Sequence, residues 1–223
     1  MIYGALGLAS FTLYLRLAPS AEESDAKPGR LVGASRRRVY GLASLFALDA
    51  FGGGLVVNSL LALWLFERFG LNVAETGTIF FVTGLCSSAS FFAAVPLAQR
   101  FGLLNTMVFT HLPANVLLVL TAFAPTALVA FILLICRSLL SQMDVPTRSA
   151  YVMAIVTPEE RPAAASMTAV PRSLASALAP LLSGWLLGLG PFGWPLVIAG
   201  CLKISYGLIL LRQFRSVEPS GQV

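Results

Sequence analysis

Six charged side chains lie inside runs of sequence that are otherwise apolar: Asp49, Arg137, Asp144, Arg148, Arg172 and Lys203. A charge at bilayer depth costs about 2.5–3.5 kcal/mol on insertion scales, so each must face a cavity or a partner. The densest set shares one run. At 100° per residue, Arg137, Ser141, Asp144, Arg148 and Tyr151 fall within about 40° of one line, a polar stripe along an apolar helix. Asp144 stands one helical turn before Arg148, the order that favours an ion pair. Pro146 between them lacks a backbone donor and predicts a kink. The pair reads either as a charge network closing one end of the protein or as a cavity wall that touches solute.

Asp49 is followed closely by Gly52-Gly53-Gly54. Three glycines weaken a helix and let a neighbour approach its backbone. A carboxylate beside such a break is a candidate proton or cation site, as in discontinuous transporter helices; the alternative is a salt bridge to one of the buried arginines, such as Arg137 or Arg172. On an unbroken helix Asn58 would face away from Asp49. Arg172 shares a face with Thr168, Ser176 and Ser183. Lys203 either stays near the middle of its run or snorkels toward Arg212. His111, the sole histidine, shares a face with Asn115 and reads as a packing residue. The buried charge is mainly positive, which points to an anionic or amphipathic solute. Bilayer hydrolysis would need a nucleophile with a base, or clustered metal ligands. The sequence shows no His/Asp/Glu cluster and no Gly-x-Ser-x-Gly elbow, so no catalytic residue, metal or cofactor is expected.

The elements that position these residues are long and apolar. The chain has 223 residues, 57% hydrophobic and 11% charged, where a soluble domain carries about 25% charged residues. Spans of about 20 apolar residues read as Val39–Phe66, Thr76–Ala98, Leu103–Phe123, Thr126–Ile155, Ala163–Leu189 and Gly193–Leu211. The sequence therefore predicts an all-α polytopic membrane protein with six transmembrane helices. Met1–Leu17 is apolar but a little short, and reads as the end of a preceding transmembrane helix. Residues 18–40 read as a solvated linker, residues 41–215 as the six-helix domain and residues 216–223 as a tail. Most of the 15 Lys and Arg fall at Arg16–Arg38, Arg100, Arg148–Arg161, Arg212 and Arg215, which by the positive-inside rule makes linker and tail cytoplasmic. The expected location is the cell (inner) membrane, multi-pass. The basic tract is a topology signal and does not predict nucleic-acid binding. Cys86, Cys136 and Cys201 lie inside spans and read as apolar filler. Thr83, Ser87 and Ser90 align as a polar face, while Gly77, Gly84 and Ser88 form a small-residue stripe that reads as helix packing.

Leu97-Ala98-Gln99-Arg100-Phe101-Gly102, between the second and third spans, resembles the signature loop of the major facilitator superfamily, which runs Gly-x-Leu-Ala-Asp-Arg-x-Gly before a basic pair. Leu97, Ala98, Arg100 and Gly102 match; Val95, Gln99 and Leu103-Leu104 depart from it. Asp144-Val145-Pro146-Thr147-Arg148 and Pro158-Glu159-Glu160-Arg161 are similar to the fourth-helix end and following loop of that family's exporter branch. The resemblance covers Arg36–Val217. It implies two six-helix halves around a central cavity, each of two inverted three-helix repeats, with this chain as the C-terminal half and Arg100 and Gly102 in a gating loop. It further implies secondary transport of a small solute by alternating access, and the buried charges Asp49, Arg137, Asp144, Arg148 and Arg172 are the candidate residues of the substrate or ion pathway. The implied partners are the solute, protons, the lipid bilayer and an N-terminal half or second copy. A non-transporting scaffold or receptor and an intramembrane enzyme are the alternatives.

Overall fold

The computed structural model describes residues 7–8, 10–13 and 33–214. The expected tail at 216–223, the linker up to residue 32 and most of the preceding helix lie outside the described residues. Residues 7–8 and 10–13 are helical. From Gly33 onward the described chain is a bundle of helices: α1 (Gly33–Gly54), α2 (Asn58–Phe69), α3 (Val73–Phe101), α4 (Leu103–Ala122), α5 (Ala127–Ser141), α6 (Asp144–Ala154), α7 (Arg161–Leu187) and α8 (Trp194–Phe214), with a 3-10 turn at Pro158–Glu160 before α7. Helix α1 takes in Arg36–Arg38, which the sequence places in the linker.

Four helical runs are long and apolar enough to cross a membrane: Val73–Phe101, Leu103–Ala122, Ala127–Ala154 and Trp194–Phe214. A fifth is Ser35–Gly54 with Asn58–Phe69, bent by 41° at the intervening residues. The remaining expected span is α7. It has 27 residues, but its serines, prolines and Arg172 make it less apolar than the other five. The six predicted spans thus become five of membrane character and one more polar helix of sufficient length.

Local chemistry sets the helix limits. Asn72 caps α3 by accepting from the Ala74 and Glu75 amides at 2.9 and 3.0 Å, while Glu75 accepts from the Asn72 amide at 2.8 Å, a reciprocal capping box. Helix α1 ends on its glycines. The carbonyl of Leu55 in the break accepts from the Ser183 hydroxyl at 2.7 Å, which satisfies a group that lipid could not. The kink expected at Pro146 falls earlier, at Gln142–Met143, because a proline ring clashes with the carbonyl four residues before it. Gly102, at φ 84°, is the sole residue between α3 and α4. The expected gating loop is therefore mostly helix, ending in a one-residue hinge.

The most extensive contacts join α1 to α7 and α4 to α8. At the first crossing, a Cβ on Gly54 would stand 2.6 Å from the Ser176 carbonyl oxygen and 2.7 Å from Ala179 Cβ. At the second, a Cβ on Gly200 would stand 3.0 Å from the Asn115 carbonyl oxygen. These glycines carry the close packing. The stripe predicted to do so does not: a Cβ on Gly77 or Gly84 would meet nothing within 4 Å. Phe81, Phe92, Phe109, Leu128 and Leu181 are exposed, as suits a bundle whose solvent is hydrocarbon.

Two apolar clusters stack along the bundle. One gathers Val39, Leu42, Phe46, Met107, Val152 and Leu210; the other gathers Leu55, Trp64, Leu65, Leu118, Ala122 and Leu196. Asp49, His111 and Lys203 fall between the two sets along α1, α4 and α8. Along these three helices the charged residues are thus flanked on both sides by packed apolar side chains.

Candidate functional site: a four-helix charge cluster on a polar cavity

Asp49 is buried and receives three partners from three other helices. Lys203 Nζ donates to Oδ1 at 2.7 Å, Arg148 Nη2 donates to Oδ2 at 2.8 Å, and His111 Nε2 lies 3.3 Å from Oδ1. Arg148 Nη2 also pairs with Asp144 Oδ2, one turn earlier on α6. The guanidinium lies over the rings of Phe46 and Tyr206, 5.0 and 5.8 Å from their centroids, where a cation gains from the negative ring face. Two carboxylates and two cations make this buried quartet electrically neutral. Such balance is what burial demands, since an isolated charge there would cost several kcal/mol.

The Asn115 side-chain amide lies 3.0 Å from His111 Nδ1 and donates to the His111 carbonyl at 2.7 Å. With the amide as donor, Nδ1 is the acceptor and the ring proton sits on Nε2, directed at Asp49. His111 is therefore a member of the charge cluster, and its expected role as packing alone is corrected. Of the two positions open to Lys203, the structure takes the first: it stays near the middle of its helix, buried against Asp49, and does not snorkel toward Arg212. The salt bridge from Asp49 to a buried arginine is present, but the arginine is Arg148 and not Arg137 or Arg172, and Lys203 is the second cation.

A cavity of about 930 Å³ opens beside the cluster. Asp49, Arg137, Asp144, Arg148 and Arg172, all expected on the solute pathway, line it. So does Asn58, which the bend after α1 turns toward the side of Asp49. Thr83 and Ser87 line the cavity as expected, whereas Ser90 is buried away from it, its hydroxyl unpaired. Arg100 is exposed, its guanidinium 5.4 Å from the Phe101 ring centroid. It and Gly102 stand apart from the site.

Arg137 and Arg172 make no hydrogen bond or ion pair among the described residues, and Arg137 Nε is buried without a partner. Four cations face two carboxylates around the cavity, so the lining keeps two uncompensated positive charges. Ligand atoms of Asp49, His111 and Asp144 lie within 4.8 Å of one another, a cluster the sequence did not reveal. It suits a metal ion poorly, because Lys203 and Arg148 already neutralise both carboxylates.

Helices of membrane length packed around a polar, charge-lined cavity define an integral membrane protein with room for a polar solute. The chain belongs to the major facilitator superfamily, a family of transporters, whose profile matches residues 42–222. It is 23% identical over 178 residues to the uncharacterized membrane protein YJR124C of Saccharomyces cerevisiae, an alignment covering 79% of this chain and 40% of that protein. The chain thus spans less than half the length of this relative. No solved structure matches it.

Proposed function

We propose that this chain is the C-terminal half of a major facilitator permease or exporter and moves a small solute by alternating access. The observation that carries the reading is the cavity, where Asp49 ties α1 to α4, α6 and α8 beside two arginines without partners. Rearranging the pairs on one carboxylate would alter how four helices lean on one another, which is the kind of bistable element alternating access needs. Asp49 is the candidate switch for a coupling proton, with His111 as its neutral neighbour. Gly102 and Arg100 would hinge α3 against α4. On this reading residues 41–215 form the transmembrane half, the C-terminus is cytoplasmic, and the protein resides in the cell membrane.

A half leaves its cavity wall open, so transport requires a preceding half or a second copy of the chain. Solute uptake from a cell extract into proteoliposomes, followed by mass spectrometry, tests this. Vesicles bearing the chain with its upstream half, or as a dimer, should accumulate one or a few solutes above empty vesicles, and strictly monomeric chain should not. No accumulation in any arrangement sinks the transport reading; robust uptake by monomer sinks the half-protein reading.

A further inference from the structure

We infer that the cavity takes a solute bearing an anionic group, a carboxylate or a phosphate, and that Arg137 is its anchor. The inference rests on the cavity being a solute site, as proposed above, and adds the chemistry of what enters it. Asp49 and Asp144 have no charge to spare for Arg137, because each already pairs with Arg148 and Asp49 also holds Lys203. Arg137 therefore stands in the wall as a guanidinium with five donors and no acceptor. Arg137 is half-buried with its Nε fully enclosed and unpartnered; a partly desolvated, unpaired cation is unfavourable, and a ligand that supplies the missing counter-charge removes that cost.

The surroundings suit an oxyanion. Ser138, Ser141 and Gln142 lie beside Arg137 on the same wall, and Asn58 and Asn115 face the cavity from α2 and α4. Of these, the side-chain amides of Asn58 and Gln142 can donate hydrogen bonds to carboxylate or phosphate oxygens, whereas Ser138 already donates to the Leu134 carbonyl and Asn115 to His111. Arg172 adds a second positive charge from α7. A cation entering here would meet the excess positive charge. A neutral solute would leave Arg137 unpaired. The volume of about 930 Å³ accommodates an organic molecule and not merely an inorganic ion.

The test is calorimetric titration of the whole chain in neutral phosphatidylcholine nanodiscs, so that no anionic lipid fills the site. The probes are benzoate, succinate and glucose 6-phosphate, with glucose and tetraphenylphosphonium as neutral and cationic counterparts. At least one anion should bind, and preference for the carboxylates or for the phosphate ester identifies the oxyanion. Arg137→Gln should weaken that binding roughly thirtyfold or more, and Arg137→Lys should keep part of it. Without ligand, Arg137→Gln should melt no lower than the parent, since it removes an unpaired charge; a lower melting temperature would assign Arg137 a structural role and overturn the inference. Binding only of glucose or tetraphenylphosphonium, no binding of any anion, or anion affinity unchanged in Arg137→Gln also overturns it. Because binding is read without transport, an anion that binds but never crosses leaves this inference standing and removes only the transport reading.

Discussion

At the scale of single residues, Asp49 has the largest consequences. It accepts from Lys203 and Arg148 and faces His111, so its removal strands two buried cations on one remaining carboxylate, Asp144. Asp49→Asn should lower stability by about 3–5 kcal/mol and abolish gradient-driven transport. Lys203→Met in the same chain restores neutrality, so the double variant should recover much of the stability while transport stays lost. Thermal unfolding in detergent of both single variants and the double variant, analysed as a cycle, measures the coupling. Additive losses would mean that the pair does not interact. The roles of His111 and Lys203 were not legible in the sequence, because residues 49, 111 and 203 come together only through the packing of α1, α4 and α8. Periodicity shows which residues share one face of one helix. It carries no information on how separate helices are rotated toward each other. The Asp144–Arg148 pair was legible for the opposite reason: one turn of one helix contains it.

At the scale of elements, the breaks were legible and the crossings only partly so. The glycine run ends α1 as expected, and Pro146 breaks its helix, though one turn earlier than its own position. The small-residue stripe failed as a predictor because close approach depends on which glycine meets a neighbour. Gly54 does, with α7 at 2.6 Å from the position of a Cβ; Gly84 does not, with nothing inside 4 Å. Gly54→Ala should therefore cost about 1–3 kcal/mol or more through overpacking, while Gly84→Ala should leave folding stability nearly unchanged. Melting temperatures of the two variants in one detergent provide the comparison. Equal shifts would contradict the α1–α7 crossing.

At the scale of the whole molecule, the proposed topology follows from where the basic residues lie. Linker and tail should share the cytoplasmic side, and the turn before α3 should lie opposite. In a background with Cys86, Cys136 and Cys201 replaced, cysteines at Ser24 and Asn72 should react with an impermeant maleimide from opposite faces of the membrane. Labelling from the same face would remove the arrangement of spans. The neutral quartet also has a consequence for how the protein is made. Its charges are spread along the chain, with Asp49 on α1 and Lys203 on α8, well after it. Helix α1 therefore enters the lipid before the charges that balance it, and Asp49 waits through the synthesis of about 150 residues for Lys203. Until α8 docks, the early helices depend on water, lipid headgroups or the insertion machinery to screen an unmatched carboxylate. Assembly of these helices is thus most exposed to failure just before α8 docks, because that docking neutralises the quartet.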